Sequence, residues 1–202
     1  MSYHGYIPLI KQYLHQRLPK ERQPAILEIG IDRGVTLIPL VVFLSRTRPS
    51  FTAIGVDILV QEQVRLMLGN LDLQGSQQAY CIEGNSLEVM PRMVDQGMKF
   101  DVLLLDGDHN YHTVAEEMKH IEALTNPDAL VICDDYDGRW STRDLFYADR
   151  EDYRDNKHAT QKVETEKHGV KPAIDEWLES HPGWQKAQPV QGEPILLMRQ
   201  AI

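Results

Sequence analysis

Short apolar runs alternate with longer amphipathic segments along most of this chain, and this alternation limits the possible folds more than any other feature. The apolar runs predict strands at 25–29, 52–56, 79–83, 102–105, 130–133, about 185–190 and 195–198. Helical spacing of apolar residues between them predicts crossover helices at 35–44, 58–68, 86–96 and 113–124. Because strands that alternate with helices form βαβ units, we predict an α/β fold with a doubly wound, mainly parallel seven-stranded sheet and helices on both faces.

The chain length predicts one domain, since 202 residues are too few for two ordinary ones. We therefore expect a single domain over residues 1–202. Within residues 1–24, apolar side chains recur every three or four positions, which predicts an amphipathic N-terminal helix that packs on the domain or lines the substrate entrance. Residues 138–169 are crowded with charged side chains. Long segments of this kind are either functional lids or disordered insertions, and both interpretations are kept.

The charge of the chain restricts its partners. A formal net charge of -9 opposes binding to nucleic acid, because nonspecific affinity for nucleic acid comes from Lys and Arg neutralising phosphates. We expect a small-molecule substrate and no nucleic-acid partner; a homo-oligomer is compatible with this composition. No apolar run approaches the roughly 20 residues of a bilayer span, and residues 1–24 are too polar for a signal-peptide core. We therefore expect no membrane association and a cytoplasmic location.

A glycine-containing turn follows the first predicted strand, in the stretch Glu28-Ile29-Gly30-Ile31-Asp32-Arg33-Gly34-Val35-Thr36. Glycine permits a tight turn and close approach of a ligand to the backbone, and the next helix presents free N–H groups. We predict that Gly30, Asp32 and Gly34 bind a cofactor, although glycine turns are also common in ordinary strand-to-helix connections. Glu28 at the strand end suits a ligand with a cationic amino-acid portion better than a pyrophosphate.

Polar residues also follow the next two predicted strands. Asp57 lies about 20 residues beyond the glycine turn, where Rossmann-type folds place an acidic residue that accepts hydrogen bonds from ribose hydroxyls. Capping of a helix is the other use of aspartate at such a position. Asn85 and Ser86 follow the third strand, where an adenine ring would lie. Together with Glu28, this spacing predicts a nucleoside-type cofactor on a Rossmann-like sheet.

Acidic residues follow the two central strands of the predicted sheet. Asp106 comes directly after the run Val102-Leu103-Leu104-Leu105, and Asp134 and Asp135 come after Leu130-Val131-Ile132-Cys133. Several carboxylates in one place repel each other unless a cation intervenes, and hard divalent cations take oxygen ligands. We therefore predict a metal ion held by Asp106, Asp134 and Asp135, with magnesium as first choice and calcium or manganese as alternatives. Helix capping or solvation at loop ends is the competing interpretation.

Two neighbouring residues are candidates for the catalytic base. The ordinary pKa of a histidine side chain is about 6.5, so His109 is suited to accept a proton near neutral pH. Asp108 is the competing base, and a hydrogen-bonded loop histidine is the structural alternative for His109. Asp106 is expected to serve the cofactor and the reaction as well as the metal. Tyr111 and Tyr136 either line an acceptor pocket or simply pack.

These residues resemble a known group, the small class I S-adenosylmethionine-dependent methyltransferases related to macrocin O-methyltransferase and the cephalosporin-hydroxylase-like proteins. The resemblance covers most of the chain from Ile26 to the final strands, excluding the polar segment. The resemblance rests on three motifs, which are Glu28-x-Gly30-x-x-x-Gly34-x-Thr36, Asp106-Gly107-Asp108-His109-x-Tyr111 and Asp134-Asp135-Tyr136. The stretch from Gly169 to Leu178 also resembles the helix that follows the lid in such proteins.

The resemblance implies S-adenosyl-L-methionine as cofactor and Mg²⁺ on Asp106, Asp134 and Asp135. It also implies methyl transfer to a hydroxyl group of a small molecule, such as a sugar or polyketide. Two other functions are kept, because a fold does not determine its function. One is a metal-dependent hydroxylase-like or cofactor-cleaving enzyme on the same scaffold. The other is a noncatalytic module that binds S-adenosylmethionine.

Overall fold

Seven strands form the sheet at the centre of the molecule. A computed structural model describes residues 6–187 and 194–200. The strands are β1 (Ala25–Ile29), β2 (Ser50–Asp57), β3 (Ser76–Glu83), β4 (Phe100–Leu105), β5 (Thr125–Cys133), β6 (Trp184–Lys186) and β7 (Ile195–Arg199). They lie side by side in the order β3-β2-β1-β4-β5-β7-β6.

Six α-helices surround the sheet in the described ranges. They are α1 (Tyr6–Arg17), α2 (Leu37–Thr47), α3 (Glu62–Gly69), α4 (Ser86–Asp95), α5 (Tyr111–Leu124) and α6 (Val170–Ser180). Two short 3-10 helices, Tyr147–Asp149 and Glu151–Tyr153, lie in the polar segment 138–169. None of the helices within residues 6–187 and 194–200 has the length and apolar character needed to cross a membrane.

The pairing of the strands confirms the predicted fold class. Strands β1 to β5 pair in parallel, whereas β7 is antiparallel to both β5 and β6. Every residue of β4 is buried, as expected for a central strand covered by helices on both faces. The strand order reverses direction between β1 and β4. In open α/β sheets, ligands bind at the carboxyl ends of the strands next to such a reversal.

Two apolar cores lie on opposite faces of the sheet. One packs α4, α5 and α6 against the sheet and includes Met90, Met118 and Trp177. The other packs α1, α2 and α3 and includes Leu14 and Leu40. The helix predicted near the N-terminus is therefore present, and its apolar stripe is buried against the domain.

Several elements begin or end away from their predicted bounds for local reasons. α2 begins at Leu37 rather than 35, because Gly30, Asp32 and Gly34 have positive φ angles and extend the turn before it. β3 begins at Ser76 rather than 79, since its polar first residues pair with β2 although they lack an apolar pattern. The sixth strand is observed at Trp184–Lys186, and residues 188–190 of the predicted strand lie outside the described residues.

Candidate active site

Two adjoining cavities open at the carboxyl ends of the parallel strands. The first, which we call the glycine-loop cavity, has a volume of about 480 Å³ and is bordered by Asp57, Asn85 and Asp108 among others. The second, the acidic cavity, has a volume of about 560 Å³ and is bordered by Glu28 and His109 among others. The residues common to both walls are Gly30, Asp32, Asp106, Tyr147 and Arg150. Two ligands in these cavities would therefore meet beside Asp106.

Gly30 allows the loop after β1 to pack closely against the end of β4. Its φ angle is 82°, and a β-carbon at this position would lie 2.0 Å from the carbonyl oxygen of Asp106. Its N–H donates to the carbonyl oxygen of Val56 at 2.8 Å. Only glycine fits here, because both the backbone conformation and the lack of space exclude a side chain. The predicted importance of this glycine thus has a packing cause in addition to any ligand contact.

Asp57 anchors the glycine turn. One carboxylate oxygen accepts hydrogen bonds from the N–H groups of Ile31 at 2.8 Å and Asp32 at 2.9 Å, and the other accepts from Leu59 at 3.0 Å. Burial raises the pKa of Asp57, and these three hydrogen bonds oppose that rise. Asp57 also borders the glycine-loop cavity, where the predicted ribose contact would be made. Sequence reasoning did not anticipate its role in holding the turn.

Glu28 is a buried carboxyl group with an unsatisfied oxygen. Its residue is 3% exposed, and Oε2 has no hydrogen-bond partner in the part of the chain that the structure describes. Burial, together with the nearby charge of Asp57, raises its pKa well above the ordinary value. A buried polar atom without a partner is costly, so this oxygen is suited to a donor group on a ligand. That property fits the predicted cationic amino-acid portion.

Asn85 links the third loop to the polar segment. Its Oδ1 accepts a hydrogen bond from the N–H of Leu87 at 2.8 Å and so caps α4. Its Nδ2 donates to Oγ1 of Thr160 at 3.1 Å. Ser86 is buried at the start of the same helix, and both residues border the glycine-loop cavity. The structure thus brings the predicted adenine-binding residues to the same cavity as Asp57.

Asp106, His109 and Asp134 form a compact group of acidic and imidazole side chains. One potential ligand atom from each residue lies within 4.8 Å of those of the other two. Burial and the neighbouring Asp134 raise the pKa of Asp106 well above its ordinary value. A divalent cation would relieve this repulsion, and two carboxylates with an imidazole form a suitable donor set. These residues therefore fit a metal ion.

The predicted third ligand, Asp135, lies beside this group rather than within it. Its Oδ2 is 3.7 Å from Nδ1 of His109, while Nε2 of the same imidazole is 3.8 Å from Oδ1 of Asp106. Asp135 is buried, borders the acidic cavity and has a positive φ of 55°. The ligand set Asp106, Asp134 and Asp135 thus stays a prediction, and His109 joins it as a candidate ligand.

The two candidate bases face different cavities. His109 borders the acidic cavity, and burial lowers its pKa although Asp134 and Asp135 oppose that change. Asp108 borders the glycine-loop cavity, and its Oδ1 accepts a hydrogen bond from the N–H of Tyr147 at 3.0 Å. Burial raises the pKa of Asp108 to about 6. Both groups are therefore capable of accepting a proton at neutral pH.

The polar segment 138–169 lies across both cavities. Leu145 donates its N–H to the carbonyl oxygen of His109 at 3.0 Å, and the side chain of Asn156 donates to the carbonyl oxygen of Ile58 at 2.9 Å. Phe146 is buried although the segment around it is rich in charged side chains, so the segment contributes at least this residue to the interior. Trp140 is one of its side chains that border the acidic cavity.

Two buried polar residues at the site were not predicted from the sequence. Tyr6 on α1 donates its hydroxyl to Oδ1 of Asp134, and burial together with the nearby aspartates raises its pKa. Glu117 on α5 is buried next to Ser86, and burial raises its pKa to about 8. Glu117 lies on the same helical face as Val114 and Met118, so a charged residue on an apolar face was the available signal. The apolar stripe of α1 predicted the burial of Tyr6, but no sequence signal indicated its contact with Asp134.

The hydroxyl groups of Tyr111 and Tyr136 both bond to residues of α6. The hydroxyl of Tyr111 donates to Oε2 of Glu176, and that of Tyr136 donates to Oδ1 of Asp175, both at 2.6 Å. Neither tyrosine is among the residues that border the two cavities. The structure therefore favours the packing alternative, since Tyr111 connects the start of α5 to α6 and Tyr136 connects the loop after β5 to α6.

Several solved structures share this fold at low sequence identity. The O-methyltransferase NovP is 16% identical with a TM-score of 0.66, and the match covers 97% of this chain and 80% of NovP. CalS11, a TDP-rhamnose 3′-O-methyltransferase of calicheamicin biosynthesis, is 14% identical with a TM-score of 0.58, covering 96% of this chain and 78% of CalS11. At such identities the likeness establishes the fold alone.

MycE, a methyltransferase from the mycinamycin biosynthetic pathway, was solved with Mg, SAH and mycinamycin VI. It is 16% identical with a TM-score of 0.54, and the match covers 96% of this chain but 48% of MycE, so this chain spans about half the length of that protein.

No curated protein matches the chain by sequence. Residues 27–136, more than half of the chain, match the family model described as a methyltransferase domain. This chain therefore belongs to the methyltransferase domain family and has the Rossmann-like fold of the class I methyltransferases.

Proposed function

We propose that this chain is an S-adenosylmethionine-dependent O-methyltransferase that acts on a hydroxyl group of a small molecule with the help of a divalent cation. The observation that carries the proposal is the position of Asp106. It lies in the wall shared by the two cavities and belongs to the compact group with His109 and Asp134. A methyl donor in one cavity and an acceptor in the other would meet there.

The residues around the glycine-loop cavity fit S-adenosylmethionine. Asp57, Asn85 and Ser86 would bind the nucleoside in this cavity. Glu28 borders the adjoining acidic cavity, and its unsatisfied carboxyl oxygen would bind the amino group of the methionine portion where the two cavities meet. When bound, this cofactor would supply a methyl group on a positively charged sulfur, from which the acceptor oxygen takes the methyl group while the electrons of the broken C–S bond stay on sulfur. Gly30 keeps the cofactor loop close to Asp106, because the two backbones are in contact.

The acidic cavity would hold the cation and the acceptor. Asp106 and Asp134 would bind the metal, with Asp135 or His109 as the third protein ligand. Mg²⁺ is the first choice, since it prefers oxygen ligands and keeps places for water or substrate oxygens. A cation there supplies Lewis-acid chemistry that lowers the pKa of a hydroxyl group. The presence of Mg and SAH in the MycE structure supports this proposal.

His109 is proposed as the group that receives the hydroxyl proton. It borders the acidic cavity, and burial keeps its imidazole neutral at neutral pH. Asp108 is the second candidate, since its carboxylate borders the other cavity and already accepts a hydrogen bond from Tyr147. Trp140, Tyr147 and the rest of the segment 138–169 would exclude water from the reacting groups.

The proposed acceptor is a hydroxyl group on a sugar or polyketide. CalS11 is described as acting on TDP-rhamnose, and MycE was solved with mycinamycin VI. The acidic cavity of about 560 Å³ lies within the size range of small-molecule sites. The cytoplasmic location and the absence of nucleic-acid or membrane partners remain predictions from composition.

The test begins with calorimetric titration of the purified protein with S-adenosylmethionine and with S-adenosylhomocysteine, each with and without Mg²⁺. We expect micromolar binding of both. Transfer of a labelled methyl group to a panel of sugar and polyketide hydroxyls then follows, with Asp106→Ala as the inactive control. If neither cofactor form binds under either condition, the proposed function is wrong. If both bind but the cofactor is cleaved without an acceptor, the hydroxylase-like or cofactor-cleaving alternative takes its place.

A further inference from the structure

Tyr6 brings the N-terminal helix into contact with the acidic group. It is the first described residue of the chain and begins α1, and it is 1% exposed. Its hydroxyl donates a hydrogen bond to Oδ1 of Asp134, which lies 128 positions away in sequence. A buried phenol hydroxyl needs such a partner, because an unsatisfied polar group in the interior is costly.

This hydrogen bond restrains the orientation of the Asp134 carboxylate. A carboxylate has two oxygens and about four lone-pair positions, so one bond from Tyr6 leaves the group able to bind another partner. The Asp134 carboxylate also belongs to the compact group with Asp106 and His109, in which one potential ligand atom of each residue lies within 4.8 Å of those of the other two. The donor on one side and the acidic group on the other together define how Asp134 faces the cavity.

The Tyr6 side chain is itself held in place by its surroundings. It packs in the same apolar core as Ile10 and Leu14 of its own helix and Leu37 of α2. Rigid packing of the donor matters, because a metal ligand is oriented well only when the group that orients it is itself fixed.

We propose that Tyr6 is a positioning residue of the cation site, which orients Asp134 through its hydroxyl so that α1 forms part of the site. This inference rests on the proposed function, since it assumes that Asp134 binds a divalent cation. Hydrogen-bond partners of metal ligands typically change metal affinity or activity about 10- to 100-fold when they are removed. The same scale of effect is expected for the hydroxyl of Tyr6.

Tyr13 supplies a matched control on the same helix. It is 6% exposed, and its hydroxyl donates to the carbonyl oxygen of Asp128 at 2.6 Å, away from both cavities. Tyr6→Phe and Tyr13→Phe each remove one buried hydroxyl from α1 and retain the aromatic ring. Only Tyr6→Phe removes a bond to the acidic group.

The experiment titrates wild type and both variants with MnCl₂ by calorimetry, in the presence of saturating S-adenosylhomocysteine. We expect Tyr6→Phe to weaken Mn²⁺ binding about 10- to 100-fold and Tyr13→Phe to leave it unchanged, while S-adenosylhomocysteine affinity stays the same in all three. Electron paramagnetic resonance of bound Mn²⁺ gives a second measurement, in which Tyr6→Phe should broaden the spectrum. Thermal melting checks that each variant is folded.

The outcomes separate this inference from the proposed function. If wild type binds Mn²⁺ and Tyr6→Phe binds it with unchanged affinity, the role of Tyr6 is overturned and the cation site stays in place. Equal losses in Tyr6→Phe and Tyr13→Phe would also overturn it, because they would reflect the stability of α1 alone. Failure of wild type to bind Mn²⁺ would instead remove the cation site from the proposed function.

Discussion

Gly30 lies so close to the end of β4 that a β-carbon on it would stand 2.0 Å from the carbonyl oxygen of Asp106. The residue predicted to bind the cofactor is thus in backbone contact with the residue predicted to bind the metal. The contact fixes the distance between the two loops that follow β1 and β4. Any change at Gly30 should therefore affect both cavities.

Gly30→Ala should destabilise the protein and abolish cofactor binding. The added carbon needs a backbone shift as well as a strained positive φ. Gly75→Ala is the matched control, since Gly75 has a positive φ of 57° but no atom within 4 Å of the added carbon. We expect Gly75→Ala to cost about 1–2 kcal/mol, and Gly30→Ala to cost about 1–3 kcal/mol more. Urea unfolding measures both, and equal losses would contradict the packing role of Gly30.

Asp57→Ala should reduce both stability and cofactor affinity. The change leaves the N–H groups of Ile31, Asp32 and Leu59 without their acceptor. Ile31 is buried, and a buried donor that loses its acceptor costs about 1–3 kcal/mol, whereas Asp32 and Leu59 are exposed and their N–H groups can bond to water. Asp57→Asn retains one oxygen and should lose less stability. Urea unfolding and calorimetry on the same samples check this, and a loss of cofactor affinity with unchanged stability would restrict Asp57 to the ligand.

The strand ends could be predicted from sequence because the signals for them are local. Apolar runs predicted both ends of β1 and the carboxyl ends of β4 and β5, although β5 begins at Thr125 rather than 130. The polar residues that follow a parallel strand must lie at one edge of the sheet. Asp106 and Asp134 could therefore be brought together without a structure. The relation of Asp135 to His109 could not, because it depends on a positive φ at Asp135 that no local pattern indicates.

Contacts between distant elements were beyond prediction for a physical reason. The apolar stripe of the N-terminal helix predicted burial of Tyr6, yet its contact with Asp134 depends on how α1 packs against the sheet. The tyrosines after β4 and β5 show the converse. An aromatic residue near a ligand site has no periodicity that tells packing from binding, and Tyr136 bonds to α6.

Stability in the absence of metal should fall as the pH rises from about 5 to 8. Burial raises the pKa of Glu117 from 4.5 to about 8, so the folded protein keeps a proton that the unfolded chain has lost in this interval. The stability gained from that proton is complete below the unfolded pKa and declines up to the folded pKa. Glu117→Gln should reduce the slope by up to about 1.4 kcal/mol per pH unit. Urea unfolding in EDTA at several pH values measures it, and identical slopes would show that Glu117 is ionised in the folded protein.

Substitution of each of the two candidate bases should impair a different property, either the rate of methyl transfer or the affinity for the cofactor. His109→Gln should lower the methyl-transfer rate by about 10²- to 10⁴-fold with cofactor affinity unchanged, because His109 faces the acidic cavity. Asp108→Asn should weaken cofactor binding, since Asp108 borders the other cavity and holds Tyr147. Steady-state kinetics and calorimetry separate the two. A larger rate loss in Asp108→Asn, with cofactor affinity retained, would make Asp108 the base.

Removal of the cation should abolish methyl transfer, and the variants should reveal the third ligand. EDTA is expected to inactivate the protein and Mg²⁺ to restore it, because the repulsion among Asp106, Asp134 and Asp135 would otherwise remain uncompensated.

Asp135→Asn and His109→Gln distinguish the ligand sets, since the structure places the imidazole rather than Asp135 in the compact group. If Asp135 is the third ligand, only Asp135→Asn weakens Mn²⁺ binding in a calorimetric titration. A loss confined to His109→Gln would assign that position to the imidazole, and His109 could then no longer serve as the free base.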